Sequence, residues 1–197
     1  MPTKNKVLDL KGLKKVRQKF IGKKIVLCHG VFDLLHIGHI NYFRSSKKYG
    51  NILVVSVTSD KFVNKGPGRP AFSINNRLKF LQEIDCVDYI YSSNDFTAEK
   101  VIKSLKPNFY CKGSDYQIAQ AKNDVNLKKE IKALKAFKGK FKVIKEISFS
   151  SSKFINDNGL QNFNQDCKNY INSIREKYSL NQIIQNLDIL KKKSVLV

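Results

Sequence analysis

Lys24-Ile25-Val26-Leu27-Cys28-His29-Gly30-Val31-Phe32-Asp33-Leu34-Leu35-His36-Ile37-Gly38-His39 is the stretch on which the fold turns. Residues 24–28 form an apolar run flanked by Gly22 and Gly30, and read as a buried strand. Gly30 allows a tight turn, and a helix covers residues 38–49, beginning near His36–Gly38 and stopped at Gly50. A helix N-terminus following a parallel strand is an anion site, because its unpaired N–H groups and positive dipole end face the ligand. All three histidines of the chain lie in this stretch. Gly30 and Gly38 lack Cβ, so a phosphate can approach the backbone closely. His36 and His39, three apart, share one face of a helical turn. Two imidazoles over one anion site suit a reaction that builds charge on phosphate oxygens. His29 alone reads equally as a hydrogen-bonded structural histidine.

Outward from this stretch, residues 8–20 read as an amphipathic helix through Leu10, Leu13, Val16 and Phe20. Further strands are expected at 52–57, 87–91, 108–111 and 141–144. Helices are expected from Ser73, from Thr97 to Leu105 before Pro107, and over 124–137; residues 61–72, with Gly66, Pro67, Gly68 and Pro70, form a loop. Short β-branched runs alternating with helices imply an α/β fold. The expectation is a doubly wound, Rossmann-like, parallel five-stranded sheet with helices on both faces, whose ligands bind beyond the carboxyl ends of the strands. Residues 1–156 form this domain. Residues 157–197 read as a helical extension or linker (Tyr170, Ile174, Tyr178; Ile183, Leu187, Leu190), and the apolar Val195-Leu196-Val197 end suggests a chain continuing into a further domain.

The net charge is +21, from 37 Lys and Arg against 16 Asp and Glu. Nucleic acid is nevertheless a poor partner: Lys outnumbers Arg 32 to 5, and Arg is the residue that reads bases and phosphates bidentately. The excess is also even along the chain, as a solvated Lys-rich surface would have it. Such a surface attracts polyphosphate and phosphosugar ligands. Cys28, Cys86, Cys111 and Cys167 are too widely spaced for a zinc knuckle or a disulfide framework, and read as free thiols. No apolar run reaches the roughly 18 residues of a membrane span, and Met1–Lys6 lacks a signal-peptide core, so the expected compartment is cytoplasmic.

His36-Ile37-Gly38-His39, preceded by Gly30-Val31-Phe32-Asp33-Leu34-Leu35, resembles the signature of the cytidylyltransferase-like nucleotidyltransferases, whose H-x-G-H motif is shared with class I aminoacyl-tRNA synthetases. Lys65-Gly66-Pro67-Gly68-Arg69-Pro70, Arg77, and Lys112-Gly113-Ser114-Asp115-Tyr116 are similar to the adenylyltransferase domains of ADP-heptose synthases, as is the run Ser150-Ser151-Ser152. The resemblance covers about residues 8–156. It implies transfer of a nucleotidyl, favouring adenylyl, group from an NTP to a sugar phosphate, giving a nucleotide-sugar and pyrophosphate, with Mg2+ entering alongside the NTP. It implies His36, His39 and Lys65 as catalytic. It implies Gly30, Val31, Phe32, Gly38, Arg77, Gly113, Asp115, Ser150, Ser151 and Ser152 as nucleotide-binding, and His29, Asp33 and Arg69 as acceptor-binding. For Arg77 a structural salt bridge is an equal reading, and for Asp33 orientation of the turn is the favoured one. Relatives often carry Asn or a hydroxyl residue where His29 stands. No dedicated metal-ligand set is visible. A homo-oligomer is compatible with the sequence, as is a fused sugar-kinase domain in a longer protein. The alternatives are a cytidylyltransferase acting on glycerol phosphate or another polyol phosphate, ATP and CTP being undecided, and, more distantly, a Lys-rich RNA-binding module with an inactive fold. A class I synthetase fragment is weaker still, for want of a K-M-S-K-S motif.

Overall fold

The computed structural model describes residues 5–65, 69–114, 124–145, 165–178 and 182. Ile25–Gly30 (β2) is the central strand, buried along nearly its whole length because parallel strands are covered on both faces. It is flanked by Ile52–Thr58 (β3) and Phe109–Lys112 (β5), both parallel to it. Tyr89–Ser93 (β4) lies beyond β3, and Lys140–Val143 (β6) beyond β5. A sixth strand, Val7–Leu8 (β1), adds to the outer edge of β4, giving the order β1-β4-β3-β2-β5-β6. The five expected strands are thus joined by one more. Two residues are too short to show alternation, and β1 exists through pairing, with Ile90 N donating to Lys6 O.

Alternation along the strands sends side chains to two cores. Leu10–Lys19 (α1), Glu99–Leu105 (α4) and Val125–Lys135 (α5) cover Ile25, Leu27, Val54 and Tyr110. Ile37–Lys47 (α2) and Ile74–Gln82 (α3) cover Val26, Cys28, Val55 and Cys111 through Tyr42, Phe43 and Leu81. Chain order reverses at β2, whose neighbours are β3 on one side and β5 on the other. Ligands collect beyond the carboxyl edge of such a switch point.

The helix starts show what the sequence could say locally. Asp9 caps α1 by accepting from Gly12 N, and Asp124 caps α5. Ser73 occupies the N-cap of α3, but its side chain makes no capping bond; Asp60 Oδ2 accepts from Ile74 N at 3.1 Å instead. Thr97 precedes the cap of α4 and accepts from Glu99 N at 3.4 Å, while the buried Glu130 of α5 accepts from Ala98 N at 2.7 Å and from the Tyr110 hydroxyl at 2.9 Å. Gly50 admits the turn from α2 into β3, since a Cβ there would lie 2.6 Å from Lys24 O. Cys28, Cys86 and Cys111 are free thiols, and burial pushes that of Cys111 up to about 11. The chain divides into two compact units, Met1–Ser151 and Ser152–Val197. The second contains the helix Gln165–Lys177 (α6); Ile183, Leu187 and Leu190 lie outside the described residues. No described helix is long and apolar enough to cross a membrane.

Candidate active site

The turn from β2 into α2 is bent by two non-glycine residues in the left-handed region, Phe32 (φ 50°) and Leu34 (φ 49°). Each costs on the order of 1 kcal/mol, and such conformations persist only when their surroundings hold them. Here the Phe32 ring is buried against Phe43 and Tyr42, at centroid distances of 5.0 and 6.4 Å. That ring sits over Gly30, where an added Cβ would come within 3.2 Å of it, so a larger residue would push the ring away by a few tenths of an ångström. Asp33, between the two strained residues, accepts from Ala71 N (2.8 Å) and Phe72 N (3.0 Å), while Arg69 Nε lies 3.1 Å from Oδ2.

This turn delivers His36 to the N-cap of α2, with the buried Gly38 in its first turn. His36 Nδ1 accepts from Gly38 N at 3.1 Å, and His39 Nδ1 faces His36 N at 3.4 Å, a capping box built from two imidazoles. The ring centroids are 4.1 Å apart. Because each Nδ1 accepts, the proton of each neutral ring resides on Nε2. Burial lowers the pKa of His36, which favours this neutral form. The first turn of α2 carries no acidic residue to compete with an anion. The pair therefore supplies two imidazole N–H donors at the positive end of a helix, on the carboxyl edge of the central strand.

Residues 27–157 match the family model described as cytidylyltransferase-like. The chain belongs to that family. The bifunctional protein HldE of Geobacter metallireducens is 40% identical over 115 residues, covering 56% of this chain and 24% of that protein. The HldE of Sulfurimonas denitrificans is 39% identical over 103 residues, covering 51% and 22%. The chain thus spans about a quarter of the length of the curated relatives it matches. Among solved structures, a lipopolysaccharide core biosynthesis protein from Thermoplasma volcanium is 28% identical, with TM-score 0.52, covering 66% of this chain and all of that one. Pantoate-beta-alanine ligase from Francisella tularensis shares the fold at 15% identity and TM-score 0.52, over 86% of each chain.

In this cytidylyltransferase-like chain two expected ligand contacts are supports instead. Arg77 is 0% exposed, and its guanidinium donates to Phe72 O (3.0 Å), Val31 O (2.5 Å), Thr58 O (2.9 Å) and Asp60 Oδ1 (2.6 Å). It braces the β2–α2 turn against the end of β3 and the loop before α3, which leaves no fork for a nucleotide. Asp33 is buried and accepts from two backbone N–H groups with Arg69 Nε in ion-pair range, an arrangement that orients the turn. Arg69 Nε pairs with that same carboxylate by charge, without a hydrogen bond to it. Lys65 lies exposed on the loop after β3, and Gly113 follows β5 at the switch point. Gly66–Gly68, Asp115 and Ser150–Ser152 lie outside the described residues. His29 is buried in β2, its Nδ1 3.1 Å from Ser56 Oγ, and burial together with the Lys112 charge lowers its pKa to about 3. Lys112, which opens the K-G-S-D-Y segment, is 6% exposed at the end of β5.

Proposed function

We propose that this chain transfers an adenylyl group from ATP to a sugar phosphate, releasing pyrophosphate and a nucleotide-sugar. The observation that carries the reading is the doubly capped imidazole pair, locked with Nε2–H as donor on both rings at the start of α2. An acceptor phosphate oxygen attacks the α-phosphorus in line, the bond to the bridging oxygen breaks, and pyrophosphate leaves with that electron pair. His36 and His39 donate to oxygens of the reacting phosphoryl group, whose charge the transition state redistributes. The first turn of α2 at Gly38 lets the phosphates approach, the space beside Gly30 being taken by the Phe32 ring. Lys65 reaches the leaving pyrophosphate as a mobile cation. Gly113 and Asp115 hold the base or ribose, and Ser150–Ser152 the β- and γ-phosphates.

The preference for ATP and a sugar acceptor is supported by the G-P-G-R-P and K-G-S-D-Y segments, and by likeness to a protein titled for lipopolysaccharide core biosynthesis. Mg2+ would neutralise the triphosphate when bound. Among the described residues no group of three or more His, Cys, Asp or Glu side chains stands ready to cage it, so the ion fits as a passenger held by phosphate oxygens and water. We place the reaction in the cytoplasm. The test is pyrophosphate release from each NTP with a panel of sugar and polyol phosphates. ATP with a sugar phosphate is expected to react. CTP with a polyol phosphate would move the assignment to that pair, and silence with every combination would remove it.

A further inference from the structure

Even along the chain, the lysines are uneven in space. α4 packs beside α1 on one side and beside α5 on the other, so the three helices form one layer over the face of Leu27, Val54 and Tyr110. The outward side of α1 carries the exposed Lys11, Lys14, Lys15 and Lys19. That of α5 carries the exposed Lys128, Lys129, Lys132 and Lys135. The acidic side chains within these helices are Glu99 and Glu130. Glu99 is paired with Lys103 at 2.6 Å, and Glu130 is buried against Ala98 N and the Tyr110 hydroxyl. The layer of α2 and α3 on the opposite face differs. Of its Lys and Arg side chains, Arg77 is buried on Asp60 and Lys47 is paired with Asp88, which leaves Arg44 and Lys79 outward.

Neither composition nor helix stability accounts for this segregation. A chain rich in Asn and Lys can fill exposed helix positions with either, and α3 turns Asn75 and Asn76 outward where α1 and α5 turn lysine. Neither α1 nor α5 has an acidic residue in its first turn, and Lys11 and Lys128 stand near the positive helix ends, where a cation opposes the macrodipole. The field also lies across the sheet from α2, turned away from the His36–His39 pair. Crossover helices run back to the amino edge of a parallel sheet, so the ends of α1, α4 and α5 gather at the edge opposite that pair. There Ile21 is 85% exposed just past α1 and Phe137 is 36% exposed just past α5, with Lys106 Nζ over the Phe137 ring at 5.2 Å. A broad field of ammonium groups with apolar residues at its rim suits an anionic bilayer. Lysine is a point charge that needs no bidentate geometry, and each one near such a surface strengthens binding about fivefold. Nucleic acid favours arginine, and the arginine of this layer, Arg17, is engaged by Lys23 O and Asn108 Oδ1. A second copy of the chain would meet like charge.

We propose that the outer face of α1, α4 and α5 docks on a bilayer carrying anionic phospholipid headgroups, leaving the carboxyl edge open to soluble substrates. The inference concerns a surface apart from the nucleotidyl-transfer site and stands or falls independently of that reading. The full chain is mixed with phosphatidylcholine vesicles, with and without about a third phosphatidylglycerol, at about 0.1 M salt, and bound protein is measured by flotation. Binding is expected to the anionic vesicles and not to the neutral ones. Two variants lose the same charge from opposite layers: Lys14→Gln, Lys129→Gln and Lys132→Gln together, and Arg44→Gln, Lys48→Gln and Lys79→Gln together. At about fivefold per lysine, the first should bind on the order of 100-fold more weakly, while the second stays within about fivefold of the wild type. Arginine at the first three positions keeps the charge and should restore binding, so that a loss in the glutamine variant reports charge and not fold. Ile21→Ser should bind several-fold more weakly. Absence of binding to anionic vesicles, equal losses in the two triple variants, a loss that arginine does not restore, or wild-type binding by Ile21→Ser would each overturn the proposal. So would mixed-sequence RNA that displaces the vesicles and depends on the same three lysines, which would give the face to nucleic acid.

Discussion

His36 has two functions that substitution can separate. Its Nδ1 caps α2, and in the proposed reaction its Nε2–H donates to phosphate. His36→Ala removes both: it should cost about 1 kcal/mol of stability, as loss of an N-cap does, and about 10²–10³ in kcat. Asn caps a helix as well as any residue, so His36→Asn should restore the Tm and leave the rate low. His39→Ala should lose a similar factor in turnover, about 3–4 kcal/mol, while the near-ultraviolet dichroism of the fold persists. His29 makes the opposite case, a histidine read through stability rather than rate. Burial holds it neutral in the folded chain, with a pKa near 3 against an ordinary value of 6.5. Below pH 6.5 the unfolded chain takes up a proton that the folded chain refuses. Stability is therefore fully present above that pH and falls as the solution is acidified, by up to about 1.4 kcal/mol per unit, until the folded pKa is reached. Between pH 7 and 5 the wild type should lose about 2 kcal/mol more than His29→Asn, read from urea midpoints at the two pH values.

The connections between elements carry the constraints that sequence spacing hides. The β2–α2 turn, the end of β3 and the loop before α3 meet on the one guanidinium of Arg77, and its four bonds make it a brace. Removing one partner of a buried charged network leaves the others unsatisfied. Arg77→Met should therefore destabilise the chain by about 3–5 kcal/mol, and Arg77→Lys should recover little, because an ammonium cannot reproduce the planar fork. A nucleotide-contacting arginine would instead leave the melting temperature alone and raise the KM for ATP. The sequence left these alternatives level because a motif gives an arginine's position along the chain and not the direction of its fork. Ser73 fails as a cap for a related reason: the partner that displaces it, Asp60, comes from the loop after β3, and is itself oriented by Arg77. By contrast the helix start at His36 was legible, because cap, glycine and second imidazole all lie within four consecutive residues.

At the scale of the molecule, the sheet was readable wherever strands are buried on both faces, since continuous apolar runs survive without knowledge of their partners. Val7–Leu8 was not, being a strand only by virtue of β4, and neither was the burial of Lys112, because a buried lysine and a solvated one look alike in a chain holding 32 of them. Those lysines also decide how the whole surface meets its ligands. A net charge of +21, spread evenly along the chain, attracts a triphosphate from beyond contact distance, and dissolved salt screens that attraction over about 10 Å at 0.1 M. Raising salt from about 0.05 to about 0.5 M should thus lower kcat/KM for ATP several-fold, with the change in KM, while kcat at saturation holds. The constancy of kcat is expected because the proposed hydrogen bonds of His36 and His39 to the reacting phosphoryl group act at contact, where mobile ions do not intervene. A surface evolved for RNA would behave differently. Its affinity would fall along a straight line in log salt, with a slope near the number of phosphates neutralised, and no pyrophosphate would appear at any salt. Steep salt-dependent RNA binding with no turnover would assign the charge to nucleic acid; weak RNA binding beside salt-sensitive KM values assigns it to capture of the small phosphorylated substrates.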